Sequence, residues 1–381
     1  MPIIWRYLLS HYIKVLLFCV VSFIAVLLTT RLQEIADFAA IGAQGQFVFW
    51  FTLYQIPYIL PLAIPISCLI SAILLVSRLS TTYELTALRA SGMTLKNMMT
   101  PILLAAACVS LFNFYVASEL ATSSHLKSRV LEQELRSINP LLLLENRQLI
   151  KYKGIYVNSL GPTRVGESAS DLVIALANKK NNRISLMFAK NIRLESLNLI
   201  GDKVTLVNSL GVNERDLPDH LFIENMNNIT TSSKDFLQML KGNGEARIKT
   251  DYLKLSLLLL RSEEDLKGLN KTDPKDLELV SFYQKRIVRN FTEILRRIDL
   301  GVAPLTFTLM GIAFGITISR RSSHRGILWV LCLSTLFMFS YFAGKGMDHR
   351  LLPSALLFLG PHLLIVAASL RTLNKVSKGI E

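Results

Sequence analysis

PLAIPISCLISAILLVSRLSTTYELTALRASGMTLKNMMTPILLAAACVSLF, residues 61–112, decides the fold. One charge-free apolar run extends from Phe47 to Ser77 and a second from Asn97 to Ser118, with the short polar stretch Arg78–Lys96 between them. About 20 such residues make a helix long enough to cross the hydrocarbon core of a membrane. Two runs joined so closely are adjacent spans. The first run exceeds one span, and Pro57, Pro61 and Pro65 recur along it every fourth residue, on one helical face. Proline removes a backbone donor, so a bent or broken helix is expected there. The prolines read either as tolerated kinks or as a cavity wall that must not pack flat.

Working outward, four more windows share this character: Val15–Thr30, Leu300–Ser319, Gly326–Gly344 and Leu351–Leu370. The first follows Arg6 and Lys14 as a signal peptide would. It lacks a small-residue cleavage site and ends in Thr-Thr-Arg31, so it reads as a retained span. Six spans in a chain of 381 residues agree with a mean hydropathy of +0.39 and only 18% charged residues. The four cysteines, Cys19, Cys68, Cys108 and Cys332, all fall inside these windows and read as apolar filling. None lies in the large loop, so neither a disulfide framework nor a zinc site is expected there.

The net charge of +14 raises the question of nucleic acid, but its placement answers otherwise. With the N-terminus in the cytoplasm, one side carries Arg6, Lys14, Arg78, Arg89, Lys96, Arg320, Arg321, Arg325, Arg371, Lys375 and Lys378. The short loops opposite carry Arg31, Lys345 and Arg350, offset by Glu34, Asp37 and Asp348. This positive-inside asymmetry puts both termini in the cytoplasm and the long loop outside.

The domain reading follows: residues 1–118 hold spans one to three, 119–299 the outer β-rich domain with flanking helices, and 300–381 spans four to six with a cytoplasmic tail. The outer region opens with a polar helix at Ser123–Arg136 and a turn at Asn139-Pro140. The period then changes. Gln148–Ser159, Asp171–Ala177, Arg183–Phe188, Asn191–Leu197, Lys203–Leu210 and His220–Met226 alternate apolar with polar, and turns are expected at Gly161-Pro162, Asn181-Asn182, Gly201-Asp202 and Leu217-Pro218-Asp219. Such a pattern indicates a small antiparallel sandwich or open barrel. Helical period returns as a short amphipathic segment at Asp251–Leu260 and a basic one at Asp276–Arg297 that leads into the fourth span. No repeat relates the two membrane halves, which argues against an inverted-repeat carrier.

Motifs for catalysis are missing. There is no GxxxxGK[ST] phosphate loop, HExxH, GxSxG or spaced Cys/His cluster, so no catalytic residue, metal or cofactor is expected. Asp348-His349 in the last outer loop reads as a solvated pair, and His362 within the sixth window as a packed histidine with a satisfied ring.

Two features stand out. In the Arg78–Lys96 loop, at about residues 80–95, Ser80 to Thr82 offer helix caps, Glu84 sits in a first turn, Leu85 and Leu88 form an apolar stripe beside Arg89, and Gly92 ends the helix. It is either an ordinary interfacial turn or a short amphipathic helix that docks on a soluble partner. The second feature is a basic ring at the outer mouth: Arg31, with Lys285, Arg289 and Arg296 on one face of the helix entering the fourth span. It suits either anionic headgroup recognition or simple anchoring against lipid.

At these residues the chain resembles the YjgP/YjgQ family, the LptF and LptG permease subunits of the lipopolysaccharide-export ABC transporter. The resemblance runs through IIWRYLLSHYIKVLL, PLAIPISCLISAILLVSRLSTTYELTALRASGMTL, APLTFTLMGIAFGI and LLPSALLFLGPHLLIVAASL, with the Glu84–Gly92 segment the most specific part. It implies a heterodimer with a second such permease, a cytoplasmic ABC ATPase dimer docked on coupling helices, periplasmic bridge proteins, and lipopolysaccharide as substrate. It implies a β-jellyroll outer domain, and lateral gates involving the first and fifth spans. Glu84, Leu85, Ala87, Leu88, Arg89 and Gly92 would form the coupling helix, and Arg31 a headgroup contact. Glu34 and Asp37 depart from the family's basic first loop, which moves headgroup recognition toward Lys285–Arg297. The opening segment and Asn139-Pro140 lean toward the F-type subunit.

The expectation is therefore an α-helical inner-membrane protein, three spans plus three around a periplasmic β-jellyroll-like domain. It is a transport subunit rather than an enzyme, with no nucleic-acid partner. The alternatives are a mechanotransmitting or regulatory subunit that carries no lipid itself and a lipid-modifying enzyme using Asp348 and His349.

Overall fold

The computed structural model describes residues 3–40, 45–138, 150–152, 155–161, 163–164, 168–178, 183–195, 198–210, 220–232, 250–272, 276–321, 324–347 and 349–377. It divides into two compact units: residues 1–32, 52–127 and 248–381 in the first, residues 33–51 and 128–247 in the second.

All six apolar windows are helical. They lie in α1 (Ile3–Thr29), α3 (Gly45–Thr81), α5 (Leu95–Tyr115), α8 (Leu277–Arg321), α9 (His324–Gly346) and α10 (Leu351–Ser377), each long and apolar enough to cross a membrane. Shorter helices complete the set: α2 (Leu32–Ala40), α4 (Glu84–Ala90), α6 (Ala121–Ile138) and α7 (Leu255–Lys271). A π turn at Val116–Leu120 joins α5 to α6, so the polar helix expected at Ser123–Arg136 continues the third span. Likewise the basic segment before the fourth span is part of α8 itself, and the Asp251–Leu260 helix begins as a 3-10 turn at Thr250–Tyr252 ahead of α7.

The prolines do not break α3, which runs through Pro57, Pro61 and Pro65 as one helix. A neighbouring side chain explains how the bundle tolerates two of its prolines. Pro65 has no N–H for the carbonyl of Pro61, and Pro304 of α8 has none for that of Leu300. Both orphaned oxygens receive the side-chain amide of Asn113 on α5, at 3.2 and 2.6 Å. Ser110, one turn earlier, accepts the N–H of Leu305 at 3.0 Å. Within a membrane, where water cannot serve, a proline survives when a neighbouring helix satisfies the freed groups.

Two glycines bring α8 close to α3. A Cβ on Gly311 would stand 2.7 Å from the carbonyl of Leu69 and 2.8 Å from the Ala72 methyl, and one on Gly315 would lie 3.3 Å from Val76. Glycines four residues apart let helix backbones approach in lipid. Around them one apolar cluster gathers Leu8, Tyr12, Cys68, Leu75 and Ile312, and another Leu69, Phe307, Met310 and Phe337. Thr308 donates to the Pro304 carbonyl, which leaves its oxygen to accept the phenol of buried Tyr12 at 3.1 Å and ties α1 to α8. Cys19 and Cys68 are buried as expected; Cys108 and Cys332 are exposed on the bundle's outside, a correction that costs nothing in lipid because a thiol behaves as a small apolar group.

The second unit carries an antiparallel sheet of seven strands, β1 (Ile150–Tyr152), β2 (Ile155–Ser159), β3 (Thr163–Arg164), β4 (Ser168–Asn178), β5 (Arg183–Glu195), β6 (Asn198–Leu210) and β7 (His220–Ser232). The order is β1-β2-β4-β5-β6-β7, with β3 beside β4. One expected turn is overturned: Gly201-Asp202 lies inside β6, and the two segments expected at Arg183–Phe188 and Asn191–Leu197 are one strand, β5. The reason is a crease across the sheet. Asp171 and Lys203 take φ of 50° and 51°, and the ladder of paired residues skips Asp171, Lys190 and Lys203 on neighbouring strands while the register on either side stays the same. Buried residues therefore sit three apart (Ala169 and Leu172, Ala189 and Ile192, Gly201 and Val204) where a flat strand would alternate by two. Gly201 leaves room there, since a Cβ would meet Val204 Cγ2 at 2.9 Å and push it aside. The expected turns at Asn139-Pro140, Asn181-Asn182 and Leu217-Pro218-Asp219, and Pro162 of Gly161-Pro162, lie outside the described residues.

Candidate functional site

The segment Arg78–Lys96 folds as a hairpin between α3 and α5 with α4 at its tip. The expected caps are not used: the hydroxyls of Thr81 and Thr82 fold back onto the Arg78 carbonyl at 2.9 Å and close α3. The residue ahead of α4 is Tyr83, at φ 59° with no side-chain cap. The far end follows expectation. Gly92, at φ 86°, donates to Arg89 while Met93 donates to Leu88, which is the paired 5→2 and 6→1 pattern of a Schellman stop. Leu88 and Met93 both pack on the cluster that buries Leu85 to 3%. The apolar stripe thus faces the chain's own core. What α4 presents outward is Tyr83, Thr86, Ala87 and Ala90, with Glu84 and Arg89 half-buried at its ends. Glu84 Oε2 accepts the phenol of Tyr7, from α1, at 3.0 Å.

At the other end of the bundle the expected basic residues part company. Arg289 and Arg296 line a cavity of about 230 Å³ together with Thr250, Asp251, Thr292, Glu293, Lys345 and Phe358. Arg296 is bound bidentately by Glu293 at 2.6 and 2.8 Å and also donates to Tyr341 Oη at 3.2 Å, so it is a braced wall rather than a mobile cation. Arg297, within the stretch expected to recognise headgroups, is instead 1% exposed. Its guanidinium donates to Glu293, to the Ser118 carbonyl in the π turn and to the Leu253 carbonyl, at 3.0, 3.4 and 2.7 Å. Burial without water demands such full pairing, and Arg297 is a structural rivet. Lys285 is exposed on the same helix, beyond the cavity lining.

Arg31 reaches this region through a stack of rings the sequence did not disclose. Its guanidinium lies 5.1 Å over Tyr58, Tyr58 stacks on His125 at 4.5 Å, and His125 meets Tyr252 at 4.7 Å. Tyr252 follows Thr250 and Asp251 of the cavity wall. Three basic and two acidic side chains line this small space. Lys345, Thr250 and Thr292 were also missed, because they come from separate helices with no shared motif.

His362 is a packed histidine: Nδ1 pairs with Thr306 at 3.0 Å and Nε2 with Asp299 Oδ1 at 2.8 Å. His349 is exposed, and Asp348 lies outside the described residues. Among the described residues no group of three or more His, Cys, Asp or Glu could hold a metal ion.

Residues 6–375 match the family described as lipopolysaccharide export system permease LptF/LptG. No curated protein matches the chain.

Proposed function

This chain belongs to the lipopolysaccharide export permease family LptF/LptG, and from that premise we propose that it is one of two permease subunits that lift lipopolysaccharide from the inner membrane using a separate ABC ATPase. It is a multi-pass inner-membrane protein. The bias of basic residues supports cytoplasmic termini and a periplasmic β domain that hands lipid to bridge proteins.

Energetics support the division of labour. Each acyl methylene drawn from the bilayer costs about 0.8 kcal/mol, so a many-chained lipid does not leave unaided. The chain carries no phosphate loop, so the energy comes from a partner. The observation that carries the reading is α4. It is anchored by Leu85 and Leu88, stopped at Gly92, and offers Tyr83 (76% exposed), Ala87, Arg89 and Glu84 to a docking surface.

The cavity lined by Arg289 and Arg296 is sized for a headgroup phosphate rather than for acyl chains, with Arg31 and Lys285 as outlying cations. The chains then need a chamber completed by the second permease. Large apolar residues left exposed on α1 (Leu17, Phe18, Val21, Val26) and α9 (Trp329, Leu331, Phe339, Phe342) support that pairing.

The test is charge reversal in the assembled complex. Glu84→Lys is expected to release the ATPase, and Arg31→Glu with Arg289→Glu to abolish stimulation of ATP hydrolysis by lipopolysaccharide. Retention of the ATPase by Glu84→Lys would overturn the docking assignment, and unchanged stimulation would overturn the headgroup assignment.

A further inference from the structure

We infer that Tyr7 is the positioning residue through which the docking helix moves the first span. The inference rests on the reading of α4 as that docking helix.

Two layers of contact join α4 to the base of α1. Inside, Leu85 belongs to the apolar cluster that also holds Leu8 and Tyr12, so the two helices contribute to one core. At the rim, Tyr7 donates its phenol to Glu84 at 3.0 Å. The Tyr7 ring stands edge-on to His11, with centroids 4.7 Å apart, and Arg78 of α3 donates to His11 Nδ1 at 3.4 Å. The aromatic contact fixes the direction of the phenol, and the phenol fixes the carboxylate. Packing through Leu85, Leu88 and Met93 holds mainly the middle and the C-terminal end of this seven-residue helix. A hydrogen bond at its first residue holds the other end.

α1 is built to pass such a motion on. Its buried residues, Leu8, Tyr12, Leu16 and Cys19, all lie in the half nearest α4. From Val20 to Thr29 no residue is fully buried, so the chain's own core holds that half less tightly. The helix is held firmly at one end and more loosely at the other. A partner that displaces Glu84 moves the held end through Tyr7, and the far end follows as one rigid rod.

A double-mutant cycle on the complex of both permeases and the ATPase in proteoliposomes tests this, reading lipopolysaccharide delivered per ATP hydrolysed. Tyr7→Phe keeps the ring and its contact with His11 and is expected to lower the ratio about fivefold, the shift produced by losing one net hydrogen bond. In a Glu84→Ala background the same change is expected to have no further effect. Equal losses in both backgrounds would overturn the inference and leave the docking assignment standing. Full delivery per ATP by Glu84→Ala alone would overturn the docking assignment itself. Should Tyr7→Phe fail to fold, Glu84→Gln carries the test, because glutamine still accepts from the phenol. A ratio above that of Glu84→Ala supports the inference, and an equal one overturns it.

Discussion

Replacing Asn113 with leucine leaves volume nearly unchanged and removes one amide that serves two carbonyls. Those oxygens, on Pro61 and Leu300, lie four residues before Pro65 and Pro304 and have no helical donor of their own. Hydrogen bonds between membrane helices average about 0.6 kcal/mol and reach about 1.7, so losing two costs about 1 to 3 kcal/mol. Asn113 is fully buried, which places the loss toward the upper part of that range. Reversible unfolding in mixed detergent micelles measures it. The reasoning makes a second demand: Pro65→Ala and Pro304→Ala restore the missing N–H groups, so adding both to Asn113→Leu is expected to recover more than half of the loss. A cost under about 0.5 kcal/mol, or proline replacements that only add to the damage, would refute the account.

Other expectations follow from the same geometry. Gly311→Ala forces a Cβ to within 2.7 Å of the Leu69 carbonyl and is expected to cost about 1 to 3 kcal/mol, with Gly315→Ala milder; the order of their melting temperatures in detergent checks this. Arg297→Met deprives buried Glu293 of its second partner and the Ser118 and Leu253 carbonyls of a donor, so the protein is expected to accumulate poorly, whereas Lys285→Met, on an exposed position, is expected to stay within about 0.5 kcal/mol of wild type. Gly92→Ala places a side chain at φ 86°, a strain of about 1 kcal/mol, and faster hydrogen exchange confined to Leu88–Met93 is expected.

The membrane half was legible because an apolar run of span length has few soluble readings, and Gly92 because a glycine after an amphipathic turn has one main use. Other features were hidden for a common reason. Asn113 meets Pro61 and Leu300 across 52 and 187 residues, and Tyr58 meets His125 and Tyr252 from separate helices. Arg297 reads like Lys285 or Arg289, since a basic residue near a span looks the same whether solvated or buried. In the β domain the alternation that marks strands slips at Asp171, Lys190 and Lys203. A strand that creases while keeping one face buried therefore reads as two strands and a turn, which is how Gly201-Asp202 misled. The inward turn of Leu85 and Leu88 was concealed likewise, because an apolar stripe does not say whether core or partner covers it.

The most direct measurement is ATP-dependent release of lipopolysaccharide from proteoliposomes holding this chain, its partner permease and the ATPase. Release that requires ATP in the wild type, and that stops in Glu84→Lys while lipid remains bound, is the predicted result. A purified assembly with no bound lipopolysaccharide, or release at the same rate without ATP, would contradict it.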